Sequence, residues 1–148
     1  DTYTASFEVP YEPGELKACN VKGKKETASA ALNTAGNPAS IRLTADRSKI
    51  KADKNDLAYV KIEVLDKDGR VIPDCEIPLE IKSGGKGSVI ASGNGSADDM
   101  RSFRSLTPKT FRGKAIVIVH PDTQEGNIHL TVSAKGLPEA NISIETYE

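Results

Sequence analysis

Histidine, cysteine and the carboxylates are where a search for chemistry in this chain begins, and they are few and scattered. A zinc site needs about four nitrogen or sulfur ligands. The sequence offers Cys19, Cys75, His120 and His129, with no C-x2-C or similar ligand spacing among them. The two histidines fall in different predicted strands. For a Ser-His-Asp hydrolase, neither His120 nor His129 has a nearby nucleophile in sequence, and no serine sits in a strained elbow such as Gly-x-Ser-x-Gly. Asp66-x-Asp68-Gly69 opens like a calcium loop, which would also need further oxygen ligands and a closing bidentate Glu. Val71 and Ile72 occupy the following positions instead, so this segment reads as a tight turn. Gly84-Gly85 and Gly93-Asn94-Gly95 lack the following helix that makes a glycine loop a phosphate cradle, and both read as strand connections. No catalytic residue, metal ligand set or cofactor is expected.

Ser96 to Pro108 differs from the rest: it is polar, lacks alternation and carries Asp98, Asp99, Arg101 and Arg104. Loops of this length in compact sandwiches are commonly functional or mobile. Asn94, Asp98, Asp99, Arg101 and Arg104 are therefore the candidate residues for a weak glycan or domain-contact site, with Phe103 as an anchor tucked beneath the loop. Sugar rings stack on exposed aromatics, and the chain has no Trp, three Phe and four Tyr. Tyr59 is the aromatic that alternation turns outward, which leaves little for a stacking platform. A Cys19–Cys75 disulfide would have to bridge two units, and two free, partly buried thiols is the preferred reading.

Formal net charge is -1, from 20 basic and 21 acidic residues. The basic residues are interleaved with acids apart from Lys22, Lys24 and Lys25, which read as a hairpin tip. Nucleic-acid binders leave a clustered basic footprint, so no nucleic-acid partner is expected. No apolar run approaches the roughly 18 residues of a spanning helix, and no membrane insertion is expected. The chain starts at Asp1 without a signal peptide, as a processed product or an excised piece would.

The elements that must position these residues are strands. Period-2 alternation dominates, and no segment supports an amphipathic helix. In Leu57–Asp66, Val60, Ile62 and Val64 point one way while Tyr59, Lys61 and Glu63 point to a wet face. A short apolar pair, Val71 and Ile72, follows the Asp66-Lys67-Asp68-Gly69 turn, and further strands carry Ile41 and Leu43; Ile77, Leu79 and Ile81; Val89 and Ala91; Ala115 to Val119; Ile128 to Ala134; and Ala140 to Ile144. About seven strands follow Pro38, the number and rhythm of an immunoglobulin-like β-sandwich. With 37% hydrophobic residues the chain can build such a core.

One pattern occurs twice. Gly14-Glu15-Leu16-Lys17-Ala18 leads through a strand to Lys22-Gly23 and a second strand ending near Thr34. Gly126-Asn127-Ile128-His129-Leu130 leads likewise to Lys135-Gly136 and the last strand. The second copy closes the sandwich of residues 37–148. The first then reads as the closing hairpin of an earlier module, with Thr2 to Val9 as the strand before it. Residues 1–36 are accordingly expected to be the C-terminal strands of a preceding immunoglobulin-like module, too few for independent stability. Ala35-Gly36-Asn37-Pro38 reads as the linker.

Glu8-Val9-Pro10-Tyr11-Glu12-Pro13-Gly14-Glu15-Leu16-Lys17-Ala18 with Thr34-Ala35-Gly36 resembles the tail of an immunoglobulin-like module of bacterial glycoside hydrolase family 2 β-galactosidases. The remainder is similar to their C-terminal immunoglobulin-like domain through Ile41–Asp46, Asp56–Val60, Asp66–Gly69, Gly93–Gly95 and Gly113–Val119. One departure stands out: an acidic residue commonly follows the Gly-Asn-Gly turn in these enzymes, and Ser96 stands there in this chain. The resemblance implies a parent that hydrolyses terminal β-galactosyl groups with retention. It would do so with two glutamates about 5–5.5 Å apart on a barrel upstream of this segment. It implies a non-catalytic accessory role, with the barrel and preceding modules as partners, subunit contacts, and a periplasmic, secreted or cell-surface location. The competing reading is a glycan-binding or adhesin-type spacer of the same fold.

Overall fold

A computed structural model describes residues 4–148, and these are strand, turn and loop throughout, with no helix among them. They divide into a unit ending at Thr34 and a unit spanning Ala35–Glu148.

The first unit is a hairpin of β1 (Glu15–Lys22) and β2 (Lys25–Asn33), with Leu16 opposite Leu32 and Ala18 opposite Ala30. Gly23, at φ 66°, opens the two-residue loop, the conformation in which glycine carries no Cβ penalty. Gly14 and Thr34 close the open end through Thr34 N–Gly14 O (2.8 Å) and Gly14 N–Thr34 Oγ1 (3.0 Å). No strand forms between Thr4 and Val9, contrary to the expectation of a third strand there; Thr2 and Tyr3 lie outside the described residues. Every described residue up to Thr34 is exposed, so there is no second layer here for a Thr4–Val9 strand to join.

The second unit is two four-stranded sheets. Its strands are β3 (Ser40–Ala45), β4 (Lys49–Lys51), β5 (Ala58–Leu65), β6 (Glu80–Gly85), β7 (Gly87–Gly93), β8 (Lys114–Pro121), β9 (Gly126–Ser133) and β10 (Ala140–Tyr147). One sheet has the order β3-β5-β8-β7 and the other β4-β10-β9-β6. Eight strands therefore replace the expected seven. The additional one, β4, is three residues long and pairs in parallel with β10; its single inward residue, Ile50, is too short a signal for alternation. The core lies between the sheets. Val60, Ile62, Val117 and Val119 from one meet Ile128, Leu130, Val132 and Ile144 from the other, each at most 1% exposed. Full burial of such a side chain contributes about 1.5–3 kcal/mol.

Three positions depart from the burial or pairing that the sequence pattern suggests. Glu63, expected on the wet face, is 4% exposed. Arg42 Nη2 (2.8 Å) and Lys61 Nζ (3.0 Å) close over its carboxylate from neighbouring positions. Burial opposes its ionisation, but the two cations outweigh that and hold it below the ordinary carboxylate range. In β7 a bulge between Val89 and Ala91 shifts the register, so Ser92 rather than Ala91 faces the interior opposite Val117. Gly84 and Gly85, read as a break, still pair with His129 and Ile128 and end β6. Gly85 adopts φ 91°, and a Cβ there would stand 2.1 Å from Asn127 O, so only glycine makes this turn.

The Asp66 turn is as expected. Its carboxylate accepts from the amides of Asp68 (2.9 Å), Arg70 (2.8 Å) and Gly36 (2.9 Å). The Gly36 and Arg70 amides foremost lower its pKa.

Candidate functional site

The polar stretch after β7 brings three of the five nominated residues together. Asn94 Oδ1 accepts from Ser96 N (2.9 Å), while its Nδ2 donates to Asp99 Oδ2 (2.8 Å) and to Lys109 O (2.9 Å). Arg101 grips Asp99 with both arms, Nε to Oδ1 at 2.8 Å and Nη2 to Oδ2 at 2.6 Å. Those bonds, with the Arg101 amide, hold the Asp99 carboxyl far below the usual range. Asp98 and Arg104 do not join this cluster. Both are exposed, and among the described residues their hydrogen bonds are local amide bonds to Ser96 Oγ and Ser102 Oγ.

Beyond Arg101 the chain turns into a strap. Ser92 N donates to Phe103 O (2.6 Å), and the Ser92 hydroxyl donates to Ser105 O. Ile81 N then donates to Leu106 O (2.9 Å) and Leu79 N to Pro108 O (2.8 Å). Ser92 lies on β7 and Ile81 on β6, the edge strands of the two sheets on the same side of the sandwich. The strap supplies partners that bare edges would leave unmet. Thr110 continues the lacing: its amide donates to Ile77 O, its Oγ1 accepts from Ile77 N, and its hydroxyl donates to Cys75 O, each at 2.9 Å. A stretch that reads from its polarity as a solvated loop is thus hydrogen-bonded to both sheets.

Phe103 is not tucked beneath the loop. It is 70% exposed, and its ring lies over the backbone of Gly93 on the outer face, where a Cβ on Gly93 would come within 3.1 Å. The hollow beside it, lined by Ser92, Gly93, Asn94, Asp99, Arg101 and Phe103 among others, holds about 60 Å³. Small-molecule pockets run to about 300–1,000 Å³. A broader, open depression of about 320 Å³ adjoins it near Asp98, Lys109 and Phe111.

The remaining candidates stay apart. His120 is half-buried on β8, 2.8 Å from Pro121 O through Nδ1, while His129 is exposed on β9 of the other sheet. Cys75 is buried, and burial pushes its thiol pKa up; Cys19 is exposed on β1, and both are free. Ser92, Ser105 and Thr110 escaped the sequence reading. A bulge hides the first, and no periodic pattern marks the other two.

Residues 41–143 match the glycoside hydrolase family 2 C-terminal domain 5. The chain belongs to that family. All 148 residues align at 35% identity with a β-galactosidase of Bacteroides ovatus, covering 17% of that protein. A β-galactosidase of Thermoanaerobacter pseudethanolicus is 27% identical over 142 residues, 95% of this chain and again 17% of its own length. Among solved structures, a glycosyl hydrolase family 2 member from Bacteroides cellulosilyticus superposes with a TM-score of 0.88 at 34% identity. That match covers 95% of this chain and 18% of the other. The chain thus spans about a sixth of the length of these family 2 relatives.

Proposed function

We propose that this chain is a non-catalytic accessory region of a family 2 β-galactosidase, acting by packing against the catalytic barrel, the preceding modules or another subunit. The supporting observation is its alignment, over 95% or more of its length, with a small fraction of two proteins named β-galactosidases. The geometry favours the same reading. Asn94, Asp99 and Arg101 spend their polar groups on one another and on the backbone of the strap. A sandwich with laced edges offers rigid faces to a neighbouring domain.

The purified chain should release no nitrophenol from nitrophenyl-β-galactoside above a buffer blank. Steady turnover that co-purifies with the chain, and survives removal of contaminating galactosidase, would overturn this reading.

A further inference from the structure

Phe111-Arg112-Gly113-Lys114 is a tight turn leading into β8. Phe111 N donates to Lys114 O (2.8 Å) and Lys114 N donates to Phe111 O (3.0 Å). Both central residues have positive φ, 51° at Arg112 and 72° at Gly113, the turn that Asn-Gly or Asp-Gly suits best. Gly113 is required, since a Cβ there would stand 2.3 Å from Ile72 O. Arginine is a poor occupant of the first position, because its Cβ resists the left-handed region. Its backbone conformation gives no reason for it, which turns attention to its side chain. The guanidinium lies over the Phe111 ring, 5.4 Å from the centroid. Arg42, Arg47, Arg70 and Arg101 pair with carboxylates; among the described residues Arg112 pairs with none.

Arg112 borders an open hollow of about 470 Å³, lined also by Gly95, Phe111, Lys114 and Ile116. Among the described residues no carboxylate lines it. Asn94 stands at its rim with its amide committed to Asp99 and Lys109 O, which leaves Arg112 and Lys114 as the free donors. Lys114 lies opposite Glu63 across β5 and β8, but Arg42 and Lys61 already hold that carboxylate. Four cations thus share one carboxylate at this end of the outer face. Apolar surface adjoins the charge. Ile116 stands between Lys61 of β5 and Gly93 of β7, and the exposed Phe103 ring lies over Gly93. The exposed Tyr59 is one outward position along β5 from Lys61. The other sheet differs: the outward residues of β9 and β10 include Asn127, His129, Thr131, Asn141 and Ser143, all polar.

We infer that this hollow binds a uronate-bearing oligosaccharide, with Arg112 and Lys114 on its carboxylate and Phe111, Ile116 and Phe103 against the apolar faces of its rings. Charge complementarity calls for an anion, and a guanidinium meets a carboxylate through two parallel hydrogen bonds. Stacking over Phe111 holds that guanidinium in place before the ligand arrives. The apolar walls and the neighbouring aromatic rings call for ring C–H faces as well as charge. An inorganic anion would leave Phe111 and Ile116 without a partner, and an acidic peptide would bring charge without ring faces. The volume lies in the range of small-ligand sites. Residues 41–143 belong to a glycoside hydrolase family, whose enzymes work among glycans. This site goes beyond the packing role proposed above and does not depend on it.

Titration of the isotope-labelled chain with trigalacturonate, followed through its amide NMR signals, tests this. The amides of Gly95 and of residues 112–116 should shift saturably. The fully methyl-esterified trimer has the same rings without the charge, and should bind about tenfold more weakly or worse. Arg112→Asn removes the cation and supplies a residue that the turn prefers. It should fold with an equal or higher thermal midpoint and lose about tenfold or more in affinity. Lys82→Gln, on β6 of the other sheet, should leave the affinity unchanged. The absence of any saturable shift at about 20 mM trigalacturonate would overturn the inference. So would an ester that binds as well as the acid, or an Arg112→Asn chain that binds as the wild type does. Inorganic phosphate or hexaglutamate binding as tightly as trigalacturonate would also overturn it, since the hollow would then read an anion or an acidic peptide rather than a sugar.

Discussion

The hydroxyl of Thr110, 1% exposed, donates to Cys75 O while the same oxygen accepts from the Ile77 amide. One side chain thereby satisfies a carbonyl and an amide that β6 and its neighbours leave unmet. Thr110→Val keeps the shape and removes both bonds, which should cost about 1–3 kcal/mol for each group left unpaired. Thr110→Ser retains the hydroxyl and should sit much closer to the wild type. Urea midpoints of the three proteins check this, and equal midpoints for Val and Ser would refute the role of the hydroxyl. Nothing in the sequence marks Thr110, because its partners lie 33 and 35 residues away. Glu63 shows the complementary limit. Alternation placed it correctly on the outer face of β5, but only coordinates show Arg42 and Lys61 sealing it from water.

At the scale of elements, the strands were legible and the strap was not. Val60, Ile62 and Val64, or Ile128, Leu130 and Val132, announce themselves by period 2, and all are buried. The strap from Ser96 to Pro108 has no period, because its carbonyls turn first to Ser92 on β7 and then to Ile81 and Leu79 at β6, while its amides bond to its own side chains and backbone. The bulge in β7 hides Ser92 for a related reason: one inserted residue inverts the face that alternation assigns. Asn94 ties the strap at three points, to Ser96, Asp99 and Lys109. Asn94→Ala should therefore loosen the strap locally. The amides of Leu79, Ile81 and Ser92 should exchange about tenfold faster, the effect of losing about one net hydrogen bond. The amides of β5 and β8 should be unchanged. A uniform rise across the sandwich would mean that the strap is part of the global folding unit rather than a latch on its edges.

For the whole molecule, the two units stand in different energetic positions. Residues 35–148 enclose a core between two sheets, while the described residues of the first unit bury nothing. The repeated Gly–strand–Lys-Gly–strand pattern was readable in the sequence, and the positive φ of Gly14 and Gly126, paired with Thr34 and Thr146, gives it a physical basis. What the sequence could not supply was the register, which aligns Leu16–Leu32 with the buried Ile128–Ile144 pair. The function proposed for this molecule is mechanical: faces that pack, with the reaction left to another part of the enzyme. The full-length polypeptide with residues 37–148 deleted measures this most directly, through its kcat on nitrophenyl-β-galactoside and its thermal midpoint. The prediction is a kcat within about threefold of the intact enzyme, well under 1 kcal/mol of barrier, with a midpoint lower by several degrees or an altered subunit assembly. A well-folded truncated enzyme whose kcat falls by about 100-fold or more, or one whose midpoint and assembly are both unchanged, would contradict it.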